Sequence, residues 1–309
     1  MKTIGTNLLL FYLFLFIVAP PDSTMAQQPL AIITNVSGQV FVKSDTSKSW
    51  HKAYMKTALY PGDSVKTEYR SSATILYKNS IKKVLTSNQI YELQQYDSNQ
   101  ESPSWLKRIW SYLISNKEDL TPIGASRGEK AVLLYPRSGK LQSRRPAIAM
   151  TSVFNPKIHR IRIFESNSGK FVWEGTYQDT IIVYPEKAPI LEDNLTYIIH
   201  LLEPGEYSAY FQNKGTFIIA SESERTLIKK IQSSIHAQFS SKDSLDITVN
   251  FLLANLYFKN TYYTDAYLQI QQALSKQPDN RAMKLMLLDW YRAVGLTLLI
   301  DPLIEELKQ

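Results

Sequence analysis

The sequence contains no cysteine. Disulfides, thiolate catalysis and Cys-based zinc sites are therefore excluded. So is the acylated cysteine of a bacterial lipoprotein. Histidine is scarce. His51, His159, His200 and His236 have no second ligand at metal spacing and read as strand or surface residues. No phosphate-binding glycine loop occurs. No apolar run reaches the roughly 20 residues that a membrane-spanning helix needs. No basic tract occurs either: the net charge of +7 is spread over doublets such as Lys82-Lys83, Arg144-Arg145 and Lys229-Lys230. Scattered charge of this kind reads as a solvated surface, with an anionic envelope partner as the alternative.

What is present suggests several domains. A chain of 309 residues, 44% hydrophobic and 20% charged, is long enough for two or three separate cores. Lys2 precedes an apolar run from Leu8 to Ala19, Pro20-Pro21 breaks it, and Ser23-Thr24-Met25-Ala26 supplies small residues. This is the three-part pattern of a secretory signal peptide over 1–26, with cleavage expected after Ala26. The expected location is the periplasm or outside the cell, and nucleic acid is not an expected partner.

Residues 30–96 carry strand signals. Val36, Gly38, Val40 and Val42 share one parity, as do Ala73, Ile75 and Tyr77. Pro61-Gly62-Asp63 is a turn, with Gly62 free to take positive φ and Asp63 able to accept from nearby amides. Val36-Ser37-Gly38-Gln39-Val40, Trp50, Leu59, Gly62-Asp63-Ser64-Val65-Lys66-Thr67 and Ser72-Ala73 together resemble the FecR domain, the module named for the ferric citrate regulator. The resemblance implies a periplasmic all-β module. The signalling role of the regulator does not carry over, because the seven residues before the apolar segment are too few to hold a cytoplasmic partner. Lys78-Asn79-Ser80 departs from the Asp-Gly-Ser frequent in the family, and Asn79 can supply left-handed geometry for that turn.

Residues 97–126 read as a linker with one amphipathic helix. Pro103 suits its start, and Trp105, Leu106, Ile109, Trp110 and Leu113 share a face opposite Lys107 and Arg108. That face is expected to pack between domains. The alternative is peripheral membrane contact through Trp105 and Trp110. Gly124-Ala125-Ser126-Arg127-Gly128 matches G-x-S-x-G but lacks the strand before and helix after that a nucleophile elbow needs. It reads as a hinge.

Residues 127–220 alternate over His159–Ile163, Phe171–Trp173, Thr180–Tyr184, Leu195–Leu201 and Phe217–Ile219. About seven strands in a segment of this size suggest a β-sandwich. Pro136, Gly139, Pro146, Trp173 and Leu195-Thr196-Tyr197 resemble immunoglobulin-like or fibronectin-like modules of bacterial surface proteins.

From residue 222 to 309 the period becomes helical, beginning with a helix over Glu222–Phe239. Leu253, Ala254, Tyr257, Tyr263, Ala266, Ala273, Leu274, Pro278 and Asn280 fall in a 34-residue frame that resembles the tetratricopeptide repeat. A second copy from Arg281 keeps Leu287 and Tyr291 in register and ends early. Fewer than three repeats need support, so this region is expected to lean on the second β domain or a partner. The resemblance implies a peptide-binding face made by Thr248, Phe251, Asn255, Phe258 and Lys259. The alternative is a structural helical cap.

The expected architecture is thus an all-β FecR-like domain, an Ig-like β-sandwich and TPR-like α-helical hairpins. The expected function is non-enzymatic: binding or scaffolding of an envelope protein or peptide, with no cofactor. The runner-up is recognition of an anionic cell-wall or lipopolysaccharide glycan.

Overall fold

The structure, a computed structural model, describes residues 28–94, 101–115, 119–124, 131–151, 159–203, 205–206, 209 and 213–308. The 1–26 export segment, and Ser126 and Gly128 of the G-x-S-x-G match, lie outside the described residues. Several antiparallel sheets and a set of helices make a multidomain mixed fold.

The first β unit has eight strands: β1 (Ala31–Ser37), β2 (Val40–Lys43), β3 (His51–Lys52), β4 (Ala58–Leu59), β5 (Ser64–Thr67), β6 (Ser72–Tyr77), β7 (Lys82–Leu85) and β8 (Ile90–Glu92). They form two four-stranded sheets, ordered β4-β1-β6-β7 and β3-β2-β5-β8. Ala31, Ile33, Val40, Val65, Ala73 and Ile75 pack between them. The alternating run Val36–Val42 is therefore not one strand. Gly38, at φ +74°, breaks it, and β1 and β2 enter different sheets. A Cβ at Gly38 would collide with Ser71 Oγ, so glycine is needed there for space as well as conformation.

The Pro61-Gly62-Asp63 turn forms as its residues dictate. Gly62 has φ +84°, and Asp63 accepts from the Tyr60 amide at 2.8 Å and the Asp45 amide at 3.3 Å. At Lys78-Asn79-Ser80 the left-handed residue is Ser80, at φ +71°. Asn79 accepts instead from the Ile81 amide at 3.2 Å.

Helix α1 (Ser104–Leu113) follows, with Pro103 at its N-terminus and all five expected apolar residues buried. The second β unit comprises β9 (Leu133–Tyr135), β10 (Lys140–Leu141), β11 (Ala147–Met150), β12 (His159–Glu165), β13 (Phe171–Tyr177), β14 (Ile181–Val183), β15 (Thr196–Leu202) and β16 (Lys214–Ile219). A five-stranded sheet, β10-β16-β15-β12-β13, faces a three-stranded one, β14-β11-β9. Ile161, Ile163, Ile199 and Phe217 from the first meet Leu133, Ile148 and Ile182 from the second in one core. This is a β-sandwich. Half-buried Trp173 packs at its rim, its ring 5.0 Å from that of Tyr184.

The C-terminal helices are α2 (Glu222–Phe239), α3 (Thr248–Lys259), α4 (Tyr263–Lys276), α5 (Arg281–Ala293) and α6 (Ile300–Lys308). A capping box starts α2. The Glu224 amide donates to Ser221 Oγ at 3.2 Å, and the Ser221 amide donates to Glu224 at 3.1 Å. Asn280 caps α5 by accepting from the Met283 amide at 3.1 Å.

The largest core is not confined to these helices. Ile32 and Leu76 from the back of the first sheet join it, as do Met55 and the whole apolar face of α1. The β4-β1-β6-β7 sheet is thus covered on both faces, which explains why Ala31, Ile32 and Ile33 of β1 are all fully buried although they alternate in direction. Ala266 and Ala273 are fully buried, as their spacing predicts. The sandwich is tied to the helices as well. Arg137 donates from Nε to the Val294 carbonyl at 3.0 Å, and the Lys140 amide donates to the Thr261 carbonyl at 2.8 Å. Lys140 also pairs with Glu224, and Arg225 holds Asp193 at 2.6 and 2.8 Å. Among the described residues no helix is long and apolar enough to cross a membrane.

Candidate functional site

Helix α3 is surrounded by α1, α2, α4 and β1, and most of its residues are buried. A helix apolar on all sides has no free face. This corrects the expected peptide-binding face. Thr248 lies under β1, its Oγ1 3.3 Å from Thr34 Oγ1. Phe251 is fully buried in the core. Asn255 turns back on its own helix, donating from Nδ2 to the Phe251 carbonyl at 2.7 Å, and reaches Met286 Sδ at 3.7 Å.

Access to solvent is kept at part-buried Val249 in the first turn and at the C-terminal end. Phe258 is half-buried, 5.6 Å from the ring of Tyr112 on α1, and exposed Lys259 places Nζ 5.9 Å from that same ring. The face that was to hold a partner is therefore occupied by the chain's own α1 and β1. Trp105 and Trp110 face this core too, with Trp105 edge-on to Phe239 at 6.2 Å. Buried indoles are not available for contact with a membrane, which corrects the interfacial alternative.

A cleft lies where the first β unit, α1 and the C-terminal helices meet. The β3–β4 loop (54–57) forms one wall, the end of α1 the second, and α5 with the end of α3 the third. The cleft has two lobes of about 550 Å³ and about 370 Å³ that share Lys56, Ser115, Met286 and Asp289. Those volumes are of ligand-pocket size. The walls include Met55, Leu285 and Met286. Lys56, Arg281, Arg292, Asp119 and Asp289 supply charge of both signs. Asn255 and Phe258 line the second lobe, so two of the five expected residues reach it.

The α5 wall follows from helical spacing: Ala282, Leu285, Met286, Asp289 and Arg292 recur every three or four residues along one side. That stripe was the available sequence signal. Lys56 had none, because its role comes from a left-handed φ of +71° in an irregular loop.

Electrostatics mark Asp289 as the unusual group. Burial raises its carboxyl pKa, against the pull of Lys56 and Arg292 and with a further push from Asp119. Tyr112 is pushed up to about 12 by burial, then by Asp289 and Tyr263. Arg292 is anchored: it donates to the carbonyls of Asp119 at 2.6 Å and Thr121 at 3.2 Å. Asp301 accepts from the amides of Ile123 and Gly124, both at 2.7 Å, and so straps the 119–124 segment to α6. The cleft can therefore hold an extended segment by apolar contact with methionine and leucine and by charge at Asp289.

The histidines stand apart. His51 is exposed on β3, His159 and His200 lie on strands of the sandwich, and His236 is exposed on α2. Burial, then Lys214 and Arg162, lowers the pKa of His200. Among the described residues no group of three or more His, Asp or Glu side chains could hold a metal ion.

No family model matches the chain, and no curated protein matches it. Among solved structures, the chain is similar to the crystal structure of the FN1–FN3 domains of chicken CNTN1, at 11% sequence identity and a TM-score of 0.21. The match covers 63% of this chain and 62% of that one, less than two thirds of its length. A likeness with so low a TM-score carries no argument about fold or function.

Proposed function

We propose that this chain is a non-enzymatic binding or scaffold protein of a bacterial envelope, and that the cleft between the β3–β4 loop, α1 and α5 is where it holds a protein segment. The observation that carries this reading is the cleft itself. The first β unit, α1 and the C-terminal helices each contribute a wall, so its shape depends on how they are docked. The signal-peptide pattern at 1–26 supports export. The FecR-like, immunoglobulin-like and tetratricopeptide-like resemblances support an interaction role for each part.

The lining defines the segment. Met286, Leu285 and Met55 suit an apolar side chain, since methionine adapts to irregular shapes. Asp289 is an exposed carboxylate on the cleft wall, and a lysine or arginine of the partner would pair with it. The expected ligand is an extended peptide with a basic residue beside an apolar one.

Site-specific photocrosslinking tests this. A crosslinker at Thr57 should capture an envelope protein that a crosslinker at exposed Lys229 does not. Met286→Lys should abolish the adduct while the far-ultraviolet spectrum stays unchanged. An adduct equal at both positions, or one that survives Met286→Lys in a folded protein, counts against the cleft.

A further inference from the structure

The outer face of the β3-β2-β5-β8 sheet sets aromatic and basic side chains in alternating places. Val40 and Val65 point inward to the core, so Phe41, Lys43, Lys52 and Lys66 stand on the other side of their strands. Phe41 sits between two lysines, opposite Lys52 on β3 and Lys66 on β5. One row along, Lys43 holds its Nζ 5.5 Å from the ring of Trp50. At the other end, Lys52 holds its Nζ 5.6 Å from the ring of Tyr54, which borders the cleft. Acidic groups lie at the margins: Glu68 pairs with Lys66 at 2.7 Å, and Glu92 stands on edge strand β8.

We infer that this face binds an anionic glycan, a sugar polymer bearing carboxylate or phosphate groups. The Lys43 and Lys52 ammonium groups stand over the rings of Trp50 and Tyr54, where cation–π attraction favours them. The result is a sheet face on which aromatic rings and ammonium groups alternate. A sugar lays its C–H face on such a surface, and its acid group reaches the nearest ammonium. A flat face suits an extended polymer, where an enclosed pocket would suit a small molecule.

Spacing favours a glycan over nucleic acid. Lys52 and Lys66 are two strands apart, about 10 Å across the sheet. That interval fits a polymer charged on every second sugar. Nucleic acid carries a charge on every residue, and this face would leave many phosphates unpaired. The net charge of +7 adds long-range attraction for any polyanion, so it must be controlled for.

Affinity electrophoresis of the full chain through hyaluronate, neutral dextran and a single-stranded oligonucleotide is the test. At low ionic strength, hyaluronate, charged on every second sugar, should retard the protein and dextran should not. The double variant Lys43→Gln with Lys52→Gln should weaken binding at least five-fold. Lys229→Gln with Lys230→Gln, which removes the same charge from exposed α2, should leave it within two-fold. Trp50→Ala should also weaken binding, and thermal melts report whether that variant folds. The lysine pair decides the matter without it. Equal losses in the two double variants would overturn the proposal by showing a response to net charge alone. No retardation of the wild type by hyaluronate, or tighter binding to the oligonucleotide than to hyaluronate, would overturn it as well.

Discussion

At the scale of single residues, burial sets the roles of Asp265 and Phe251. Asp265 is in the first turn of α4, and burial pushes its carboxyl up to about 6, while a hydrogen bond from Gln142 pulls the other way. Its folded pKa lies above the unfolded value, so folding favours the protonated form. Stability from this group is present below the unfolded pKa, near 3.8, and is lost as pH rises through about 6. Asp265→Asn removes that loss. The variant should melt higher than the wild type at pH 8 and show little difference at pH 4. A gap in melting temperature that does not change with pH would show that Asp265 is not held in a desolvated state. Phe251 makes the contrast between core and ligand face explicit. Fully buried beside α1 and β1, it should lose about 3–5 kcal/mol on Phe251→Ala, as buried phenylalanines do. Urea denaturation measures this. A change near zero would return Phe251 to an accessible face.

At the scale of elements, the junction between β10 and the α3–α4 turn is the tightest approach. Gly139 has φ +80°, and a Cβ there would collide with the Thr261 carbonyl. The neighbouring Lys140 amide needs that same carbonyl at 2.8 Å. Gly139→Ala should cost about 1–3 kcal/mol through overpacking and unfavourable φ. The loss should appear in chemical denaturation, and an unchanged midpoint would mean that the junction gives way freely. The sequence marked Gly139 only as one residue of a sandwich pattern, because its partner lies in another part of the chain. Elements with a strong local signal were legible: α1 from its apolar face, α2 from Ser221 to Phe239, and the Gly62-Asp63 turn. Elements of two or three residues, such as β10, carry too little periodicity to be read. The binding face of α3 was misplaced for a related reason. Its Thr248 and Asn255 look like ligand-facing polar groups, yet each meets its hydrogen-bonding needs inside the molecule. Which face of a helix another element covers is set by tertiary packing, and one helix's sequence does not encode it.

At the scale of the whole molecule, the shared core decides how the parts behave alone. The helices bury their apolar surface partly on one another and partly on Ile32, Met55, Leu76 and the apolar face of α1. Each fully buried large side chain contributes about 1.5–3 kcal/mol, so losing that set removes more than a small domain's usual margin. Polar ties go with it: Gln277 to Asn35 at 2.9 Å, Gln238 to Ser80 at 2.9 Å, and Arg137 to the end of α5. A fragment of residues 222–308 should therefore not reach the native helical state. Its circular dichroism should show less helix per residue than the intact chain, with a broad melt and binding of an apolar dye. In the intact chain the helical signal should be lost in one cooperative transition, because α1 and the first sheet leave the core when the helices do. A fragment that melts cooperatively near the temperature of the whole protein would refute this. The helical part would then be an independent domain that only rests against the sheets, and the cleft between them could open without unfolding either side.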